Sequence, residues 1–387
     1  MTDRPPTPTG HGHASGLRVL MLVLSDLDRD ARVRREAAAL AQAGHRVTVI
    51  ALAGRSQPGV QVIGVGRPRG PALSTASRGI RRRVRRVLRW ALLPEHLASM
   101  ARRFATDAGP VATVAGPFDV VHAHDFSTLP LGARLAEDVG ARLVYDAHEC
   151  WVGRYKDGRD DVLRDLLHLR KERALGARAD AVITVSPMLA RWLGARLGRS
   201  VAVVRNTFPD LDEGWSPAPT SPPVGLVYAG LIAPGRDLET LVAAADGLPV
   251  EPVLVGPRSG PVDLGSLSPR SPVPVDDVDR IHAANGLAFV PLTDDCLNHR
   301  LALPNKLFQA VRAGTPVVAA DLPQIRDVVT TFGLGTLYTP GDPASLHRAV
   351  VAAVEGHDRF VAAVARARTP LSWAADAAVL VDTYRQL

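Results

Sequence analysis

Apolar residues fall along this chain in two recurring patterns, short continuous runs of strand length and longer stretches with an apolar stripe every three or four positions. "LRVLMLVL" (17–24) is of the first kind, and "ARVRREAAALAQAGHRVTVIALA" (31–53) carries a helix ending at Gly44 and a second strand from Arg46. The alternation continues with the strand "FDVVHAHD", a helix from about Leu129 to Val139, the strand "RLVYDAH" and a long helical stretch from Asp160 to Ala179. "AVITVSP" follows, then a helix capped by Ser186 with Pro187 in its first turn, then "VAVVRNTF". The stretch 209–223, "PDLDEGWSPAPTSPP", holds five prolines without periodicity and reads as a linker. Beyond it the pattern restarts: "VGLVYAG", a helix over 236–246, "VEPVLVG", a short helix near 276–284, "GLAFVPL", a helix over 304–313 and "TPVVAAD". Strands alternating with helices imply an α/β protein whose parallel sheets are covered on both faces. We read two doubly wound, Rossmann-like domains, 17–208 and 224–370, with a tail at 1–16, the linker at 209–223 and a final helix over 371–387.

The sharpest single stretch is "ALPNKLFQAVRAGTPVVAADLP" (302–323). Pro304 suits a first helical position and Gly314 the position past the last. Leu307, Phe308 and Val311 form the apolar stripe, while Asn305, Gln309 and Arg312 share the other face. A helix N-terminus beside the Lys306 ammonium and two side-chain amides can receive an anion that carries hydroxyls. A capped helix with a solvated polar face explains the same spacing.

The 387 residues suffice for two cores, and 46% apolar with 22% charged residues is an ordinary globular balance. No run approaches the roughly 18 apolar residues of a membrane span. "MTDRPPTPTGHGHASG" lacks the features of a secretory signal, which points to a disordered tail and a cytoplasmic protein. Cys150 and Cys296 match no ligand spacing, and Cys150 reads as a small buried hydrophobe. Lys and Arg number 33 against 19 Asp and Glu over residues 1–208, a net of +14, while the remainder has 13 against 20, a net of −7. A first domain that meets something anionic follows from this asymmetry. "RGIRRRVRRVLRWALLP" (78–94) sharpens it, with seven arginines between Arg78 and Arg89 and apolar residues at helical spacing. Arg81, Arg82, Arg85, Arg86, Arg89 and Trp90 would dock such a helix on the anionic inner face of a membrane, as a peripheral contact. Packing of its stripe on its own domain is the alternative. One Trp without Tyr or Phe argues against stacking on nucleic acid.

"GVGRPRG" (64–70) has the wrong spacing for a dinucleotide loop, and no phosphate loop ending in Gly-Lys-Ser/Thr exists. Gly230 ends a strand, where a ligand can approach the backbone. Arg236 starts the next helix, and either holds a diphosphate or pairs with Asp237 or Glu239. Arg236 and Lys306 head successive crossovers, so both can project over one sheet edge and neutralise a diphosphate without metal. His122 and His124 share one face of a strand, with Asp125 next, and Asp146, His148 and Glu149 repeat the layout one strand later. Acid, base or hydroxyl-binding work fits His124 at a strand's carboxyl end, a hydrogen-bonded structural role fits either cluster, and zinc lacks further ligands at suggestive spacing.

Taken together, "DARVRREAAALAQAGHRVTVIA", "VVHAHD", "YDAHE", "ADAVITVSPMLARWL", "VVRNTFP", "YAGLIAPGRDLETLVAA" and "ALPNKLFQAVRAGTPVVAADLPQIRDVV" resemble retaining glycosyltransferases of the GT-B fold, family 4. The resemblance runs in order from residue 17 to about 345. It implies transfer of a hexose-type sugar from a nucleotide-diphospho donor, held by the second domain, to a hydroxyl acceptor on a glycan, glycolipid or small molecule, lipid-linked acceptors included. No cofactor and no metal are implied, and no nucleic-acid partner. Catalysis would fall to His124 beside the transferred sugar, Arg236 in place of the family's usual Lys, and Lys306. Gly230, Leu303, Pro304, Asn305 and Gln309 would bind the donor; Arg32, Asp125, His148 and Glu149 would bind the acceptor. The final helix would cross back to the first domain. Three positions depart from the pattern: Leu301 and Gln309 stand where two Glu are usual, and Leu231 where an Arg often follows the glycine. A catalytically degenerate sugar-nucleotide binder and a nucleotide-sugar 2-epimerase are the rival functions.

Overall fold

The computed structural model describes residues 16–66, 99–154, 162–211 and 218–387. The basic stretch with Arg81, Arg82, Arg85, Arg86, Arg89 and Trp90 lies outside the described residues, as does part of the 209–223 stretch. The expected α/β architecture is present as two sheets. Among the described residues seven strands form the first, β1 (Arg18–Leu22), β2 (Arg46–Ala51), β3 (Val60–Gly64), β4 (Val120–His124), β5 (Arg142–Ala147), β6 (Ala181–Thr184) and β7 (Ala202–Val203), in the order β3-β2-β1-β4-β5-β6-β7. The second is built from β8 (Gly225–Ala229), β9 (Glu251–Val255), β10 (Gly286–Val290), β11 (Val317–Ala320) and β12 (Gly335–Tyr338), in the order β12-β11-β10-β8-β9. Pairing is parallel, with Leu20 opposite Thr48 and Val121 on its two sides and Val227 opposite Val253 and Ala288. By packing, the chain separates within β5 into two compact units, residues 1–144 and 145–387.

Continuous apolar strands are what a sheet covered on both faces requires. Val19 to Leu22 are all buried in β1, and Leu287 to Val290 in β10. In the larger unit the helix Asn305–Arg312 turns Leu307, Phe308 and Val311 into this core, as its spacing predicts. Pro304 is the N-cap in extended conformation, not the first helical residue. Two further boundaries shift for physical reasons. The helix expected from Leu129 begins at Asp125, a full turn earlier, because Thr128 Oγ1 donates to His124 O at 2.6 Å and the turn closes ahead of Pro130. The helix expected from 236 begins at Leu238, because Asp237 sits at φ 52° and breaks the run.

The last helix, Trp373–Arg385, packs on β7. Asp376 pins it there: its carboxylate accepts from Arg205 N at 3.1 Å, from Arg205 Nε at 3.0 Å and from Thr207 Oγ1 at 2.7 Å, with only 2% of the residue exposed. Removing that carboxylate strands three donors, so Asp376→Ala is expected to cost about 2–3 kcal/mol. The check is urea unfolding, where the midpoint should fall with little change in slope.

Candidate functional site

Parallel sheets place ligands where the strand order reverses, at the carboxyl ends of the strands. In the second sheet that point lies between β8 and β10, since β9 flanks β8 on one side and β10 to β12 extend from the other. Gly230 directly follows β8, and Lys306 opens the helix that leads from β10 to β11. Gly230 has φ 148°, and a Cβ there would lie 2.7 Å from Lys306 Cε and 2.8 Å from Nζ. The lysine head therefore occupies the space that a side chain at 230 would take, which is why glycine is required. Lys306 Nζ also stands 4.9 Å over the ring of Tyr228, a residue buried in β8 whose hydroxyl donates to Leu231 O at 2.5 Å.

Charge is concentrated at this point. The Lys306 ammonium is pushed down to about 7, first by burial and then by the Arg236 guanidinium. The same guanidinium lowers His299 and opposes the burial that lifts the Tyr228 hydroxyl to about 12. Arg236 and Lys306 thus share one electrostatic environment. Asp237 does not quench it. Its carboxylate accepts from Thr240 Oγ1 at 2.6 Å, Tyr338 Oη at 2.6 Å and Gly341 N at 3.4 Å, and burial raises its pKa. The left-handed backbone at Asp237 is what turns it inward while Arg236 stays half-buried in the loop.

Sequence patterning missed two histidines around these cations. His299 Nδ1 is held by Thr293 O at 2.9 Å and Asp295 Oδ1 at 3.0 Å, with burial lowering its pKa. His282, on the helix Val275–Asn285, is 1% exposed, and burial followed by the Lys306 charge pushes it down to about 4. Asp295 lies one helical turn from His299, which was a readable signal; His282 had none, since it sits among apolar neighbours.

Other predicted donor residues are placed as follows. Asn305 Oδ1 accepts from Asn206 Nδ2 at 2.8 Å, Leu303 is core, and Pro304 caps the helix. Gln309 Nε2 donates to Val275 O at 3.2 Å, and Arg312 pairs with Asp279 and Asp276, so the polar face is largely taken up by the helix Val275–Asn285. Burial lifts Asp279 to about 6 against the pull of Arg312. Leu301 O accepts from Ser186 Oγ at 2.5 Å, and Ser186 caps the helix Pro187–Leu197 as expected. His148 Nε2 is 3.1 Å from Asp146 Oδ2, and Glu149 pairs with Arg154 at 2.9 Å. Cys150 is fully buried, and its thiol is pushed up to about 12, so it behaves as the hydrophobe expected.

In the smaller unit the strand order reverses between β1 and β4, and His124 ends β4 there. Asp125 follows at φ 63°, a conformation costly for a residue with a side chain. The rings of His122 and His124 stack at 4.3 Å, and Arg32 pairs with Glu36 on the helix Ala31–Gln42 at 2.9 Å.

Residues 30–207 match the model of the glycosyl transferase 4-like domain. A stretch of 81 residues is 38% identical to phosphatidyl-myo-inositol mannosyltransferase of Mycobacterium leprae, covering 20% of this chain and 22% of that protein. The chain therefore aligns with under a quarter of that relative's length. Among solved structures, sucrose-phosphate synthase of Thermosynechococcus elongatus superposes with TM-score 0.70 at 18% identity, covering 96% of this chain and 98% of that one. The Anabaena protein HepE in complex with UDP-glucose superposes with TM-score 0.65 at 15% identity, covering 96% and 100%. The fold is the GT-B fold of these structures, and the similarity to the glycosyl transferase 4-like domain spans residues 30–207.

Proposed function

We propose that this protein is a glycosyltransferase that moves a sugar from a nucleotide-diphospho donor to a hydroxyl acceptor with retention of configuration. The observation that carries the reading is the meeting of Gly230, Arg236 and Lys306 at the switch point of the second sheet. As the bond from sugar to phosphate breaks, negative charge grows on the leaving diphosphate. Two cations and the N-terminus of the helix Asn305–Arg312 stabilise that charge, a contribution of about 3 kcal/mol for one preorganised donor. The leaving phosphate then accepts the proton of the attacking hydroxyl, and His124 binds a hydroxyl of the transferred sugar. With positive side chains in this role the reaction needs no metal, so activity should survive chelation. The match to a phosphatidyl-inositol mannosyltransferase and the +14 balance of residues 1–208 support an acceptor presented at an anionic membrane surface, with the protein bound peripherally.

The experiment is incubation of the full chain with UDP-, GDP- and ADP-linked hexoses, with and without phosphoinositide vesicles, followed by mass spectrometry of both sugar and nucleotide. Glycosylated acceptor with free nucleoside diphosphate is expected. Epimerised sugar formed without acceptor would make the protein an epimerase, and saturable binding with no turnover would make it a degenerate binder.

A further inference from the structure

His124, at the carboxyl end of β4, is itself held by its surroundings. Arg32 and Glu36 stand one turn apart on the helix Ala31–Gln42, and His122 and His124 stand on one face of β4; all four are at most 3% exposed. Arg32 Nη2 lies 2.9 Å from Glu36 Oε1, while Glu36 Oε2 lies 3.8 Å from His124 Nδ1. The two imidazoles stack nearly flat, at 17° between planes.

We propose that Glu36 is a positioning residue for His124. Its carboxylate, itself fixed by Arg32, faces the Nδ1 edge of the ring and favours the state with the proton there. Nε2 is then the lone-pair nitrogen, able to accept from a sugar hydroxyl, the arrangement by which a buried carboxylate fixes a histidine tautomer. At 3.8 Å the pairing acts through charge more than through a hydrogen bond. Among side chains this deeply buried that charge is felt strongly. The stacked His122 limits rotation of the His124 ring, and the strained Asp125 fixes the backbone that carries it. The inference rests on the reading that His124 binds the transferred sugar.

Glu36, His122, His124 and the buried Asp146 also present ligand atoms within 4.8 Å of one another, so the Asp146 carboxylate adds its negative charge to that of Glu36 at the stacked rings. The Arg32 guanidinium argues against a metal there, because a divalent cation would meet a positive charge already seated on the carboxylate.

The test uses the full chain labelled with nitrogen-15 histidine, with His124 assigned by loss of its signal in His124→Gln. In the wild type the neutral His124 should carry its proton on Nδ1. Glu36→Gln removes the charge with little change of shape. It should lower the His124 titration midpoint by about one pH unit, reduce kcat roughly 10–100-fold and leave donor KM within about twofold. A proton on Nε2 in the wild type overturns the proposal, even should Glu36→Gln fail to fold. So does stoichiometric metal in the purified protein, or an unshifted titration in a folded Glu36→Gln. If His124→Gln transfers sugar at the full rate, the functional role of His124 fails instead, whatever its tautomer.

Discussion

Replacing Lys306 by alanine is expected to weaken binding of a nucleoside diphosphate roughly 30–100-fold, and to leave binding of the matching nucleoside within about twofold. The magnitude follows from one charge-assisted contact in a partly desolvated place, worth about 2–3 kcal/mol. Arg236→Ala should do the same, since the two cations act on one spot. Their effects should not simply add. Each guanidinium or ammonium also repels the other in the ligand-free protein, so losing one relieves the remaining one. Isothermal calorimetry of both single variants and the double variant measures this directly. Equal losses for nucleoside and diphosphate would remove the phosphate role from these residues and, with it, the functional reading.

Diphosphate binding should also depend on pH and should take up a proton. Burial and Arg236 bring Lys306 from its ordinary 10.5 down to about 7, so at pH 8 the ligand-free side chain is mostly neutral. A bound diphosphate favours the ammonium, because an opposite charge stabilises the charged form. Affinity is thus highest below pH 7 and falls above it, by up to about tenfold per unit. Below pH 6 the terminal phosphate, whose second pKa is about 6, loses charge and weakens binding from the other side. His282 and His299 do not supply this dependence, since both are lowered from the ordinary histidine value, His282 to about 4. Calorimetry at pH 8 in buffers of different ionisation enthalpy should report close to one proton taken up per nucleotide in the wild type. In Lys306→Arg the uptake should vanish, because a guanidinium stays charged throughout. Uptake that persists in Lys306→Arg would place the titrating group elsewhere.

Much of the molecule could be read before any coordinates. Val19 to Leu22 and Leu287 to Val290 are unbroken apolar runs, and only a strand buried on both faces uses such a run; the alternation with helices then implies parallel sheets. Gly230, Arg236, Lys306 and His124 stood out because each follows or ends a strand, where an α/β sheet binds its ligands. Element ends were harder. Asp125 and Asp237 both take positive φ, and at Asp237 this displaces a helix start. At Asp237 tertiary contacts hold that conformation: its bonds to Tyr338 and Gly341 span about a hundred positions.

What the chain determined by itself was the alternation of strands and helices and the strand ends at which chemistry could sit, because both depend on neighbours within a few residues. What only the tertiary structure decided was charge. The proximity that lowers Lys306 beside Arg236, and the step from Glu36 to His124, join residues on elements far apart in sequence. Protonation there depends on burial and on the distance to another charge, and neither quantity is a property of any one segment.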